Sequence, residues 1–406
     1  MKSDLDRLMQ ERGLDAIVVM GESRENHALN YLTRHAKITQ GFVIKKRGDP
    51  AVLLCSSMER DEAAKSGLAV KTFADFGLPL LIKETGSLFE AQLRMLVAAL
   101  EHYGIGGTVG FYGLGDPGQS FVMLTRLGEM LPVVTVTGET ETTIFDAAYA
   151  TKDAEEIEAI KSVAARTNTV MAEVVDFLKG CPVRDGHLFG HDGAPLTVGD
   201  VKRYLRARLF HHRLEDHGET IFAIGRDAGV PHSRGEDGDV LELGKSIIFD
   251  LFPRDIESGY YHDMTRTFCL GYAPPEVQRA YDEVMRAFET VIGALKVGEQ
   301  AAYYQDLTCN VFEELGHKTP RSHPGTEEGY VHSVGHGIGL QIHARPRLGV
   351  ASQDVIEPGQ VFTVEPGLYY PQRGFGVRIE DTVYVDTDGA IHSLTPFPKD
   401  LVIPVA

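Results

Sequence analysis

The sequence predicts an α+β protein in which a domain of helices packed on a mostly antiparallel sheet follows a smaller α/β domain. Three observations predict it. The chain has 406 residues, beyond the roughly 250–300 at which a single hydrophobic core stops growing. Its opening stretch alternates helical patterns with short apolar strands. Its remainder combines long amphipathic helices with apolar strands, several of which contain one acid. The expected domains are residues 1–148 and 149–406.

In the first domain, a polar helix from Asp4 to Arg12 leads into an apolar strand from Ala16 to Met20. Gly41 to Lys45 and Ala51 to Cys55, separated by Arg47-Gly-Asp-Pro50, read as a hairpin. A helix follows from about Phe89 to Tyr103, and Gly113 to Gly118 reads as a turn rather than a phosphate loop. The boundary falls near residue 150, where Asp153 followed by Glu156 supplies a helix-capping pattern. Ile157, Ile160, Ala164, Thr167, Met171, Val174 and Leu178 then mark one face of a long helix. A second helix begins at Pro275, is expected to bury Val277, Tyr281, Val284, Phe288 and Ile292, and stops before Gly298. Strands are expected at Ser246 to Phe252, Gly259 to Leu270, Gln360 to Tyr370 and Gly376 to Val385.

A net charge of −18 argues against a phosphate backbone or an anionic membrane surface as the main partner. The first thirteen residues carry charges throughout and precede no signal-type apolar core, and no stretch reaches the length of a membrane span. Cys55, Cys181, Cys269 and Cys309 are widely separated and form no CxxC pair. A reduced cytoplasmic setting with buried thiols is expected, although four distant cysteines could pair in an oxidising one.

The chemistry is concentrated in the second domain. Asp250 interrupts Ser246-Ile-Ile-Phe-Asp-Leu-Phe252, where a lone carboxylate costs several kcal/mol unless something compensates it. Asp263, Glu365 and Glu380 stand in comparable apolar surroundings. His336 lies in Gly335-His-Gly-Ile-Gly339, where flanking glycines let the backbone approach closely. Four carboxylates and an imidazole suit a pair of divalent ions such as Mn, Co, Fe or Zn, able to hold a shared hydroxide.

These segments resemble the pita-bread metallopeptidases, the family of methionine aminopeptidase, aminopeptidase P and prolidase. The matching residues are Val230-Pro-His-Ser233, Phe249-Asp-Leu251, Asp263-Met-Thr-Arg-Thr267, Gly335 to Gly339 with His343, Thr363-Val-Glu-Pro-Gly367 and Val377-Arg-Ile-Glu-Asp381. The first domain resembles the amino-terminal domain of creatinase, prolidase and aminopeptidase P, which favours the Xaa-Pro branch. The resemblance implies a pita-bread fold, two divalent ions and hydrolysis of the bond before proline by a bridging hydroxide. It implies that Asp250 chelates one ion, that Asp263 and Glu380 bridge both, and that His336 and Glu365 complete the second, with Glu365 also shuttling the proton. It further implies that His232 and His343 contact the substrate and the tetrahedral intermediate, that Arg347 meets a substrate carboxylate, and that Arg378 belongs to the substrate-binding set. A small peptide substrate and a homodimer follow by the same resemblance.

One departure stands out. The family carries Asp-x-Gly after the first ligand, whereas Phe252 stands at that glycine here and the loop to Gly259 is about two residues longer. The alternative is a metal-dependent C–N hydrolase or lyase acting on a non-peptide molecule with the same scaffold. His212, His217 and Asp239 are expected at the surface.

Overall fold

A computed structural model describes residues 2–113 and 115–405, which fall into two compact units, Met1–Ala148 and Tyr149–Ala406. The first unit opens with helix α1 (Leu5–Glu11) and is built on one mixed sheet. Its strands are β1 (Ala16–Glu22), β2 (Gln40–Lys46), β3 (Val52–Cys55), β4 (Ala69–Thr72), β5 (Gly107–Tyr112) and β6 (Val134–Thr137), in the order β4-β3-β2-β1-β5-β6. The expected hairpin is β2–β3, with Gly41 opposite Cys55. Helix α2 (Leu88–His102) buries Leu93, Leu96 and Leu100 in a core shared with Val18, Phe42 and Val109. The glycine-rich stretch after β5 turns into a helix at Pro117, capped by Asp116; Leu114 within it lies outside the described residues.

In the second unit, the capping pattern at the start of helix α3 (Ala154–Lys179) is present in both directions. The Asp153 carboxylate accepts the Glu156 amide, and the Glu156 carboxylate accepts the Asp153 amide. Helix α4 (Val198–His211), not expected from the sequence, buries an apolar stripe of Val198, Val201, Leu205 and Leu209 and packs beside α3, where Tyr204 stacks on Phe177. Helices α5 (Pro275–Ala294) and α6 (Ala301–Glu314) pack together, with Val284, Phe288 and Phe312 in the core; Ile292 is only half-buried. Each such fully buried side chain stabilises the fold by roughly 1.5–3 kcal/mol.

Two sheets face this helical layer. One has the order β7 (Ile221–Ile224), β8 (Ser246–Leu251), β9 (Met264–Leu270), then a late strand at Val402–Ile403. The other runs β11 (Ala344–Arg347), β10 (His336–Gly337), β12 (Val361–Val364), β15 (Asp381–Val385), then a strand at Ile391–Ser393. Between them lies the hairpin β13 (Gly367–Tyr370) and β14 (Phe375–Arg378). All pairings but that of β9 with the late strand are antiparallel.

The strands are shorter than the apolar runs suggest, and the difference matters. Gln360 to Tyr370 is not one strand: it breaks at Glu365 and Pro366. Proline has no N–H to continue the ladder. Gly376 to Val385 breaks likewise at Ile379 and Glu380, where the Glu380 amide leaves its own sheet and donates to the Thr265 carbonyl of β9. Asp263 immediately precedes β9, so the expected strand from Gly259 starts only at Met264. Of the four acids, only Asp250 sits within a strand.

Candidate metal centre

Because side chains alternate across a strand, a carboxylate inside an apolar ladder points either into the core or into a cleft. Asp250, in β8 and paired with Ile221, takes the cleft. Glu365 and Glu380 reach the same place from the two strand breaks, and Asp263 reaches it from the residue before β9. His336 arrives on β10, which can lie this close to its neighbours only because glycines flank it. A Cβ on Gly335 would sit 2.0 Å from the Thr363 carbonyl oxygen, and one on Gly337 would sit 2.0 Å from that of Arg345.

All nine candidate site residues line one cavity of about 500 Å³. Asp263, His336 and Glu380 offer donor atoms that all lie within 4.8 Å of one another. His336 Nε2 is 3.7 Å from Asp263 Oδ2 and 3.4 Å from Glu365 Oε1. Its Nδ1 faces the Gly337 carbonyl at 3.2 Å, so a proton there leaves the Nε2 lone pair turned toward the acids. Asp250 stands next to this group, with Oδ2 held by Arg378 Nη2 at 2.7 Å. His232, His343 and Arg347 are exposed at the cavity's mouth, and the His343 ring lies edge-on to that of His336 at 4.4 Å.

The electrostatics are unfavourable for bare carboxylates. Burial, and then the charges of Glu380, Asp250 and Glu365, hold Asp263 well above the usual carboxylate range. Burial and Glu380 raise Glu365 in the same way. Glu380 is pushed up to about 8 by burial and the charge of Asp250, against the lowering influence of Arg378 and the Thr265 hydroxyl. Burial first and His343 second push His336 down to about 3, which keeps its imidazole neutral. Asp250 Oδ1, Asp263 Oδ1 and Glu380 Oε1 are buried and have no hydrogen-bond partner among the described residues. Three orphaned oxygens from three acids, beside a neutral imidazole nitrogen, fit divalent cations. A cation would supply the missing partners and remove the repulsion that raises these carboxyls.

A network that local sequence does not announce supports the cluster. Arg378, which resemblance assigns to substrate, lines the cavity but is buried, and its donors reach Asp250, the Tyr369 hydroxyl, the Thr265 hydroxyl and the Pro231 carbonyl. Thr265 Oγ1 in turn donates to Glu380 Oε2 at 2.8 Å, and His332 Nε2 meets the Tyr369 hydroxyl at 2.8 Å. Tyr369 and Thr265 were absent from the sequence-based set. The one available signal was alternation, which places 365, 367 and 369 on one side of an extended chain. Of the three residues expected at the surface, His217 is exposed, whereas Asp239 is half-buried and His212, also half-buried, pairs with Glu173 at 3.1 Å.

The sequence model of metallopeptidase family M24 matches residues 158–387, more than half of the chain. The chain belongs to metallopeptidase family M24. Among curated relatives, it is 35% identical to "Putative dipeptidase YkvY" of Bacillus subtilis over 185 residues, covering 45% of this chain and 47% of that one. It is likewise 35% identical to the "Xaa-Pro dipeptidase" of Pyrococcus furiosus over 185 residues, covering 45% and 49%. The chain thus spans about half the length of these curated relatives. The solved structure described as the prolidase from Pyrococcus horikoshii OT3 superposes with a TM-score of 0.74 at 21% identity, over 98% of this chain and 99% of that one. That likeness carries the fold: this M24 chain has the two-domain pita-bread architecture. Among the described residues no helix is long and apolar enough to cross a membrane.

Proposed function

We propose that this M24 chain is a dinuclear metallopeptidase that hydrolyses the peptide bond preceding proline, as an Xaa-Pro dipeptidase or Xaa-Pro aminopeptidase. The observation that carries the reading is the set of three buried carboxylate oxygens, without a hydrogen-bond partner among the described residues, from acids that line one cavity with His336. Asp250, Asp263, His336, Glu365 and Glu380 would hold two ions of the Mn, Co, Zn or Fe class, with Asp263 and Glu380 shared. When bound, such ions supply Lewis acidity toward water and the scissile carbonyl.

The chain's own residues supply the rest. Arg378 and Thr265 orient Asp250 and Glu380 by hydrogen bonds at 2.7 and 2.8 Å. Glu365 keeps 18% of its side chain open, against 6% for Asp263, which suits a carboxylate that takes a proton from the attacking water and passes it to the leaving nitrogen. His232 and His343, at the mouth, are available to hydrogen-bond the substrate amide and the developing oxyanion. Arg347 offers a guanidinium for a substrate carboxylate. The name of the Pyrococcus furiosus relative supports proline in the second position. A cytoplasmic setting is supported by four cysteines that are free and buried, and a homodimer by the family resemblance alone.

The test compares Xaa-Pro with Xaa-Pro-Yaa peptides, using metal-stripped protein as control and elemental analysis for ion identity and number. Turnover of either peptide class that vanishes on stripping and returns with about two ions per chain supports the reading. Undiminished turnover without metal sinks it.

A further inference from the structure

The cavity has two ends. Thr265 of β9 bridges to Glu380, which precedes β15, so the sheets run on as β7-β8-β9 and then β15-β12-β10-β11. Arg347 lies on β11, one outer strand of this arrangement, and Ile221 lies on β7, the other. A dipeptide whose carboxylate meets Arg347 therefore extends its amino-side residue toward β7.

That end has an apolar wall beneath a charged rim. Phe252, directly after β8, packs on the small core of Ile221, Ile248 and Tyr369 and lines the cavity with Ile221 and Pro231. It stands where the family pattern has glycine. Gly218 backs the ring so tightly that a Cβ there would lie 2.6 Å from Phe252 Cε2. The loop carrying Gly218 is pinned, because Asp216 Oδ1 accepts the Thr220 amide at 2.7 Å and its hydroxyl at 2.9 Å. Arg234 Nη2 also donates to the Gly218 carbonyl at 3.3 Å, and the Arg234–Glu219 ion pair closes the rim. The ring is thus wedged between a fixed backbone and the substrate space.

We propose that Phe252, set in place by Gly218, is the specificity-determining residue for the amino-side position of the substrate, limiting it to small and medium apolar side chains. This rests on the Xaa-Pro reading above. A ring on the wall of an apolar pocket excludes longer side chains by volume, and hydrophobic pockets discriminate by roughly 10- to 200-fold per methylene-scale difference.

The experiment measures kcat/KM of the metal-loaded protein for Phe-Pro and Ala-Pro and follows their ratio. Phe252→Ala is expected to raise the ratio about tenfold, and Phe252→Leu, which keeps apolar packing on Ile221, to raise it less. Gly218→Ala drives the ring into the cavity and is expected to lower the ratio by about tenfold. Ratios within about twofold of the parent in all three variants, or Phe252→Ala and Gly218→Ala moving it the same way, overturn the proposal. Should the parent cleave neither these dipeptides nor Phe-Pro-Ala and Ala-Pro-Ala, the Xaa-Pro reading fails, and the subsite is read by calorimetry with phenylalaninamide and alaninamide; should it cleave only the tripeptides, the same ratio is followed on them. A relative gain for phenylalaninamide in Phe252→Ala then supports the assignment, and an unchanged affinity ratio overturns it.

Discussion

Arg378 grips Asp250 by one oxygen and leaves the other bare: Nη2 lies 2.7 Å from Oδ2, while Oδ1 is buried without a hydrogen-bond partner among the described residues. The guanidinium thereby fixes the direction in which Asp250 offers its second lone pair. It is itself desolvated, yet Tyr369, Asp250 and Glu365 hold its charge firmly in place.

Arg378→Met removes that grip without removing bulk. Metal affinity is expected to fall roughly 10- to 100-fold, as for other lost partners of ligating groups. The metal-free protein should lose about 3 kcal/mol of stability, because Asp250 is left uncompensated. Metal titration and urea unfolding read the two effects separately; unchanged affinity would show that Asp250 needs no orienting.

Metal removal should expose a pH dependence of defined sign. Glu380 in the folded, metal-free chain is raised to about 8 from an ordinary value of 4.5, so the folded state binds the proton more tightly than the unfolded state does. Its contribution is fully present below pH 4.5 and is lost as pH rises toward 8, by up to ~1.4 kcal/mol per pH unit. Asp263 and Glu365, raised in the same direction, add to the slope. Thermal melts of stripped protein between pH 5 and 8 should therefore fall with pH, and added divalent metal should flatten the curve. A melt that rises with pH in the stripped protein contradicts the mutual repulsion described for this cluster.

Glu365→Gln keeps the shape and removes the base. Turnover is expected to drop roughly 100- to 10,000-fold, and because Glu365 is also one of the proposed ion holders, elemental analysis of the variant separates loss of the base from loss of an ion. Retention of more than about a tenth of the activity would assign proton transfer to another group.

Lys152 gives an independent stability test. Its ammonium is buried beside the Gly339 backbone, has no hydrogen-bond partner among the described residues, and is pushed down to about 8 by burial, with Glu156 opposing. Lys152→Met replaces an uncompensated polar end with an apolar one while leaving the Lys152 amide bonded to the Gly359 carbonyl. A gain of about 1–3 kcal/mol in urea unfolding is expected. A loss of similar size would mean that the amine has a role in the fold.

The parts of this arrangement that were legible in the sequence share one property: they conflict with their neighbours. Asp250 among isoleucines and phenylalanines, and His336 between glycines, make little sense unless a distant partner explains them. The Asp153–Glu156 cap was legible because its whole interaction is local. Illegible were features whose cause lies far along the chain. Thr265 reaches Glu380 across 115 positions, and nothing near Tyr369 indicates that it will take a hydrogen bond from Arg378. The strand breaks were missed for a different reason: periodicity marks residues as apolar and extended, but it cannot distinguish one long ladder from two that part at a proline. Helix α4 was overlooked although Val198, Val201, Leu205 and Leu209 follow helical spacing, because basic residues crowd the positions between them.

The donor cluster draws on both sheets, from Asp250 on β8 to Glu380 beyond β14, and this order has a consequence for biosynthesis. A nascent chain that has left the ribosome only as far as Tyr370 holds four of the five groups and lacks the one bonded to Thr265. The full donor set therefore cannot close until residue 380 has emerged and both sheets can pair, so the order of synthesis makes Glu380 the last donor to arrive.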